Sequence, residues 1–188
     1  IRNRGTIGGN IVTAAALADN VPALTAMDAV CVLVRKDGAS VTSREIPVPE
    51  FITGVGSVGI EDDELLTEVR FPVPDPKMKS SYEKLVRRNA LVKARMTVAA
   101  MGYTEPDGRV ADLKLSLGSV TPRPMRFTAA EQVLIGRVPE DRLYREAAEK
   151  VSGEMIAQTG YRWSTEYKKP VSEALTVRAL RSVLESRE

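Results

Sequence analysis

The sequence predicts an α+β fold in two consecutive parts, and three observations carry that prediction. Several short runs alternate apolar and polar residues as half-buried strands do, "ADLKLSLGSV" most clearly. Long segments near the end repeat apolar residues at helical spacing: Val171, Leu175, Val177, Leu180 and Leu184 fall close to one face. Between the early and late elements lies "VPDPKMKSS", whose prolines and polar cluster mark a linker. The division is expected near residue 76, giving parts 1–76 and 77–188 of a 188-residue chain. That length allows one substantial core or two small ones.

The elements follow in order. Residues from Asn10 to Met27 read as a short helix, a turn at Asn20-Val21-Pro22 and a second helical turn, with Asn10 and Pro22 as start signals. "AVCVLVRKDGASVTSREIPV" reads as a hairpin turning at Asp37-Gly38. "PEFITGVG" reads as one helical turn closed by Gly54, and a glycine-rich loop leads to the strand "DELLTEVRFPVP". Past the linker, "SSYEKLVRR" and "MTVAAMGY" are strands flanking a helical piece at "NALVKAR". "TEPDGRV" is a turn before the next strand. Three helices complete the chain: "FTAAEQVLIG" ending at Gly136, "EDRLYREAAEKVSGEMIAQ", and "PVSEALTVRALRSVLESR".

Composition excludes several function classes. A net charge of +2 and 5% aromatic residues argue against nucleic acid or an anionic membrane as partner. The longest apolar runs are too short for membrane insertion. One cysteine, Cys31, cannot form an internal disulfide, which agrees with a cytoplasmic protein, and it is too few for a cysteine-ligated iron–sulfur or zinc site. There is no histidine, which removes the Ser-His-Asp and Cys-His constellations and the commonest general base. No catalytic side chain and no metal ligand set is expected. Chemistry carried by a bound cofactor fits such a chain.

The segment "RGTIGGN" at residues 4–10 is the strongest motif. Glycines admit close approach of a ligand to the backbone, and a Gly-rich turn feeding a helix exposes N–H groups to an anion. Thr6, Gly8, Gly9 and Asn10 therefore form a candidate phosphate or pyrophosphate cradle, with Arg2 and Arg4 nearby in sequence. It is neither a Walker A loop nor G-x-G-x-x-G, and a structural glycine turn remains the alternative. Asp19 can accept hydrogen bonds from sugar hydroxyls or cap a turn. Lys84 can stabilise negative charge on a reduced ring or face solvent. The run Glu61-Asp62-Asp63-Glu64 reads as a solvated loop before a metal site. Trp163 and Tyr167 read as packing residues, with an interface role second.

Taken together, these motifs place the chain beside a known family. "IRNRGTIGGNIVTAAALADNVPALTAMDA" resembles the second half of the FAD-binding domain of the molybdenum hydroxylases, the xanthine dehydrogenase, aldehyde oxidoreductase and carbon monoxide dehydrogenase families. Arg2, Asn3, Thr6, Gly8, Gly9, Asn10, Asp19 and Pro22 match its motif, while Ala18 and Ala16 replace its usual Ser and Pro. "DELLTEVRFPVP", "YEKLVRRNALVKARMTVAA", "LSLGSVTPRPMRFTAAEQVLIG" and "RWSTEYKKPVSEALTVRAL" are similar to later family segments, so the likeness runs along the whole chain. Gly160 and Trp163 depart from the family pattern near the last of these.

The resemblance implies the second subdomain of a PCMH-type FAD-binding domain, a mixed or antiparallel sheet with helices, followed by a CO dehydrogenase flavoprotein-like C-terminal α+β domain. It implies that Thr6, Ile7, Gly8, Gly9 and Asn10 contact the FAD pyrophosphate and adjoining ribityl chain, with a further bond from Thr13. It places Asp19 at hydroxyls of the adenosine ribose or nearby, Leu65 or Leu66 on the adenine or flavin, and Lys84 near the isoalloxazine edge. Electrons would pass from molybdopterin through [2Fe–2S] clusters, both on partner subunits, to FAD and on to an acceptor such as NAD. The family's earlier glycine-rich loop is missing, so the chain is expected to be a piece that alone binds FAD weakly and is inactive. Two other readings stay open: a scaffold or assembly module without flavin, and a different flavoprotein oxidase of the same FAD fold.

Overall fold

The computed structural model describes residues 3–86 and 93–185. Its elements are mixed α and β, and every strand pairing is antiparallel among the described residues.

Thr6 opens the first helix, α1 (Ile7–Val12). Its backbone is extended and its hydroxyl accepts the Gly9 N–H at 2.9 Å, satisfying one of the orphan donors of the first turn. The helix thus begins before the glycines. Asn10, expected as the cap, lies inside it. Ala14, at φ 44°, ends it in the left-handed region. α2 (Asn20–Ala26) follows with Pro22 in its first turn. Asp19 precedes it without any side-chain capping bond, so the turn-capping role for its carboxylate is not realised.

β1 (Val30–Asp37) and β2 (Ser40–Pro47) form the expected hairpin, with its turn one residue further on, at Gly38-Ala39. Only the first of these has positive φ, 57°, the pattern of a type II′ turn. α3 (Val48–Phe51) is the expected helical turn, but Gly54 does not close it. That residue belongs to β3 (Ile52–Gly54), which pairs with β4 (Ser57–Val58) across Gly56 at φ 72°. β5 (Glu64–Arg70) pairs on the other edge of β1, giving the sheet order β2-β1-β5. Ile11, Leu24, Cys31, Leu33, Val48 and Phe51 fill the core beneath it.

The second sheet has the order β6-β7-β8, from β6 (Lys79–Leu85), β7 (Met96–Thr104) and β8 (Val110–Gly118). The helical piece expected at "NALVKAR" falls largely outside the described residues; Lys93 to Arg95 carry no helix. α4 (Thr128–Leu134), α5 (Asp141–Thr159) and α6 (Thr165–Leu184) complete the chain. α6 starts a turn and a half before Pro170, which was expected to begin it. Proline forfeits the bond to the carbonyl four residues back, and here that loss is confined to the second turn of the helix.

β7 is buried along Met96–Ala100 because both faces of its sheet are covered. Met96, Val98, Ala100, Leu113, Leu115 and Leu117 face the core shared with α4, α5 and α6. The opposite face, carrying Tyr82, Lys84, Thr97, Ala99 and Gly118 in register, meets α2. Gly118 is needed there: a Cβ would lie 2.7 Å from Pro22 Cγ and closer still to Thr97 Oγ1.

Polar contacts also tie α2 to this sheet. Asp28 Oδ2 accepts from Lys114 Nζ at 2.6 Å and its Oδ1 from Arg126 Nη1 at 2.7 Å. Arg126 grips the buried Glu131 carboxylate through two bonds, at 2.8 and 2.7 Å, while Glu131 Oε1 also accepts the Leu115 N–H. Burial pushes the Asp28 carboxyl up, but the bonds from Lys114 and Arg126 outweigh it and hold it below its usual range.

Candidate functional site

Three segments meet at α1. Its first turn contributes Thr6, Ile7, Gly8, Gly9 and Asn10, and Thr13 follows at its end. Asn10 Oδ1 accepts the backbone N–H of Asn20 at 3.2 Å, which seats α1 against the start of α2 and so against Asp19. From the second sheet, Lys84 Nζ donates to Asp19 Oδ2 at 2.6 Å, and the Tyr82 hydroxyl donates to the Asp19 carbonyl at 2.7 Å. Tyr82 and Lys84 alternate on one face of β6, so both reach Asp19. Burial pushes the Tyr82 phenol up to about 12, so it remains a hydrogen-bond donor.

Sequence reasoning missed Tyr82 and Asn20. The Tyr-x-Lys spacing on a strand was the available signal for Tyr82. No sequence signal marked Asn20, whose contribution is a backbone N–H.

The two glycines of the motif have different duties. A Cβ on Gly9 would stand 2.9 Å from Thr6 Oγ1, so that glycine serves the helix cap. A Cβ on Gly8 would meet only Leu66 Cδ2, at an ordinary 3.8 Å. The protein's own packing therefore does not require glycine at position 8. The Thr13 hydroxyl donates to Gly9 O at 2.6 Å, which leaves its lone pairs free to accept. Asp19 Oδ1 is shielded from solvent and has no hydrogen-bond partner. Such an orphan costs free energy that a donor on a ligand recovers.

Not all the candidate residues come together. Leu66 packs toward α1 and the first core. Leu65, its neighbour on β5, points to the opposite face and is 70% exposed. Asp19 and Lys84 were assigned to separate stretches of an extended cofactor, yet they form one ion pair.

The acidic run at 61–64 is resolved differently. Arg44 clamps Glu64 with two 2.6 Å bonds and the Glu61 N–H adds a third, which together hold the Glu64 carboxyl down to about 2. Among the described residues no group of His, Cys, Asp and Glu is arranged to hold a metal. Cys31 is buried, and desolvation pushes its thiol up to about 11, far from a reactive thiolate.

Residues 80–183 match the family described as CO dehydrogenase flavoprotein C-terminal domain, and residues 1–74 match the FAD binding domain in molybdopterin dehydrogenase. The chain belongs to the FAD-subunit family of the molybdenum hydroxylases. Family relatives include the glyceraldehyde dehydrogenase medium chain of Sulfolobus acidocaldarius, 32% identical over 97% of this chain and 63% of that protein. The xanthine dehydrogenase FAD-binding subunit of Escherichia coli O157:H7 is 29% identical over 96% of this chain and 60% of its own length. A solved carbon monoxide dehydrogenase from Hydrogenophaga pseudoflava superposes with a TM-score of 0.83 at 26% identity, covering 97% of this chain and 61% of that one. The chain thus spans about three fifths of the length of these flavoprotein subunits. Among the described residues no helix is long and apolar enough to cross a membrane.

The residues present fit the family's cofactor. Gly8 leaves room that the fold does not need, Thr6 and Thr13 offer hydroxyl oxygens, and Asp19 holds an unused acceptor beside a fixed ammonium.

Proposed function

We propose that this chain holds FAD as the electron-transfer component of a molybdenum hydroxylase. The observation that carries the reading is the meeting of the Thr6–Asn10 turn and Asp19, both within the part that matches the FAD binding domain, with Lys84 from the second sheet. Bound there, the flavin supplies the chemistry: it accepts electrons singly or in pairs and releases them to an acceptor such as NAD. Iron–sulfur and molybdopterin chains are the proposed partners and the source of those electrons.

The chain's own part is binding and electrostatics. Thr6, Ile7, Gly8, Gly9 and Asn10 seat the pyrophosphate, where the open backbone at Gly8 permits close approach. Thr13 adds a hydrogen bond to that segment. Asp19 binds a cofactor hydroxyl through its half-exposed carboxylate, which keeps its bond to Lys84, while its backbone carbonyl stays with Tyr82. Because Lys84 touches Asp19, both act at one end of the cofactor. We assign that end to the ribityl chain and ring, and Asp19 moves there from the adenosine ribose. Leu66 packs beside the cradle, whereas Leu65 contributes only if another surface covers its exposed face. The Lys84 ammonium places a positive charge where the ring becomes electron-rich.

Thr6, Gly9 and Thr13 are exposed, so these residues make one wall of a site. Tight binding then requires a second wall, and the 188-residue chain alone is proposed to bind FAD weakly and to be inactive. The test is Lys84→Met in the assembled enzyme. Flavin content should stay within about twofold while the rate of flavin reduction falls about tenfold or more. Unchanged reduction kinetics would remove Lys84 from this role.

A further inference from the structure

A second charged feature lies against the Ala16-Leu17 loop, in two adjoining hollows of about 320 and 790 Å³. Their walls bring together Lys93, Arg95, Arg162 and Lys168, with Trp163 and Tyr167 beside them and no carboxylate among the described lining residues. Lys168 is half-buried and its Nζ is fixed by a 2.6 Å bond to the Ser119 carbonyl. Arg162 Nε is likewise fixed on the Thr159 carbonyl, and the Arg95 guanidinium lies 5.7 Å from the Tyr167 ring centroid. Among the described residues none of the four cations forms an ion pair. Elsewhere the half-buried cations are matched: Lys84 by Asp19, Lys114 by Asp28, and Arg126 by Asp28 and Glu131.

Lys168, half-buried and held on a carbonyl with no counter-charge of its own, together with Arg95 and the exposed Arg162 and Lys93 beside it, calls for an anion from outside the chain. The surroundings narrow its kind. Trp163 is 94% exposed, and Tyr167, Leu17 and Val55 are also exposed around the same hollows. Trp163 is therefore not the packing residue its sequence context suggested. A pocket for a small molecule encloses most of its ligand, whereas an open trough rimmed by Trp, Tyr and Arg is the composition of a protein interface centre.

We propose that this trough is a docking surface for an acidic peptide segment bearing apolar side chains, contributed by another polypeptide chain. Its carboxylates meet Lys168, Arg162 and Arg95, and its apolar side chains cover Trp163 and Leu17. The inference does not rest on flavin binding at the Thr6–Gly9 turn.

Trp163 is the sole tryptophan of the chain, so its fluorescence reads occupancy directly. The 188-residue chain is titrated with a synthetic Asp/Glu-rich peptide carrying Leu and Phe, at fixed ionic strength. A saturable blue shift is expected, weakened by added salt. Arg162→Glu combined with Lys168→Glu should weaken binding about tenfold or more. Arg145→Glu, a charge reversal on the exposed side of α5, should leave it unchanged, and circular dichroism confirms that each variant is folded. The proposal is overturned if no saturable shift occurs, or if Arg145→Glu weakens binding as much. It is also overturned if inorganic phosphate alone gives the same shift, which would mark a small-anion site. Displacement of the peptide by FAD would assign the trough to the cofactor and overturn it equally.

Discussion

Thr6 and Gly9 show how little sequence is needed to set the local geometry of the site. The Thr6 hydroxyl caps α1 only because Gly9 has no Cβ to crowd it. Thr6→Ala should cost about 1 kcal/mol, the usual worth of an N-cap, read as a lowered denaturation midpoint. Glu64 gives a prediction in pH. Its folded carboxyl titrates near 2 because Arg44 and the Glu61 N–H hold the charged form, while the unfolded chain titrates in the ordinary glutamate range. A lowered folded value means the stabilisation is complete above that range and is lost as pH falls toward 2. Thermal denaturation across that window should show a steep acid limb in the wild type and a shallower one in Glu64→Gln. Equal slopes would contradict the pairing.

Among the elements, the docking of α2 on the second sheet decides where Asp19 stands. That docking depends on small residues, Gly118 and Ala99, facing Pro22 and its neighbours. Gly118→Ala should force α2 outward at a cost of about 1–3 kcal/mol, seen as a lower melting temperature, because a methyl has nowhere to go. The strands and the last helices were legible in the sequence because their periodicity is regular and their burial follows it. The β3–β4 hairpin and the early start of α6 were not. A two-residue strand carries no periodic signal, and Pro170 looks like a start when the true first turn, Thr165 to Lys168, is polar. The same limit applied to Lys84 and Asp19. Each was a plausible site residue in sequence, but their contact crosses 65 positions and depends on tertiary packing.

For the molecule as a whole, the path Lys114–Asp28–Arg126–Glu131 ties the segment after α2 to β8 and α4. Glu131 is 2% exposed, so removing its guanidinium partner strands a buried carboxylate. Arg126→Met should therefore cost about 3 kcal/mol and lower the melting temperature by about 10 °C. The glycine motif and the later segments carried the family likeness, so the family was readable before the structure. The cationic trough was not, because Arg95, Arg162 and Lys168 are scattered in sequence and each looks like an ordinary surface charge. Their missing counter-ions become apparent only when the chain is folded.

The most direct test of flavin binding at the Thr6–Gly9 turn is FAD occupancy of the assembled enzyme carrying Gly8→Ala. Alanine is the better helix former by about 1 kcal/mol, and its methyl meets nothing closer than Leu66 at 3.8 Å. The variant should fold at least as stably as the wild type and yet retain about a tenth of its FAD or less, because the methyl fills space reserved for the pyrophosphate. Wild-type FAD occupancy in a folded Gly8→Ala enzyme would contradict the assignment.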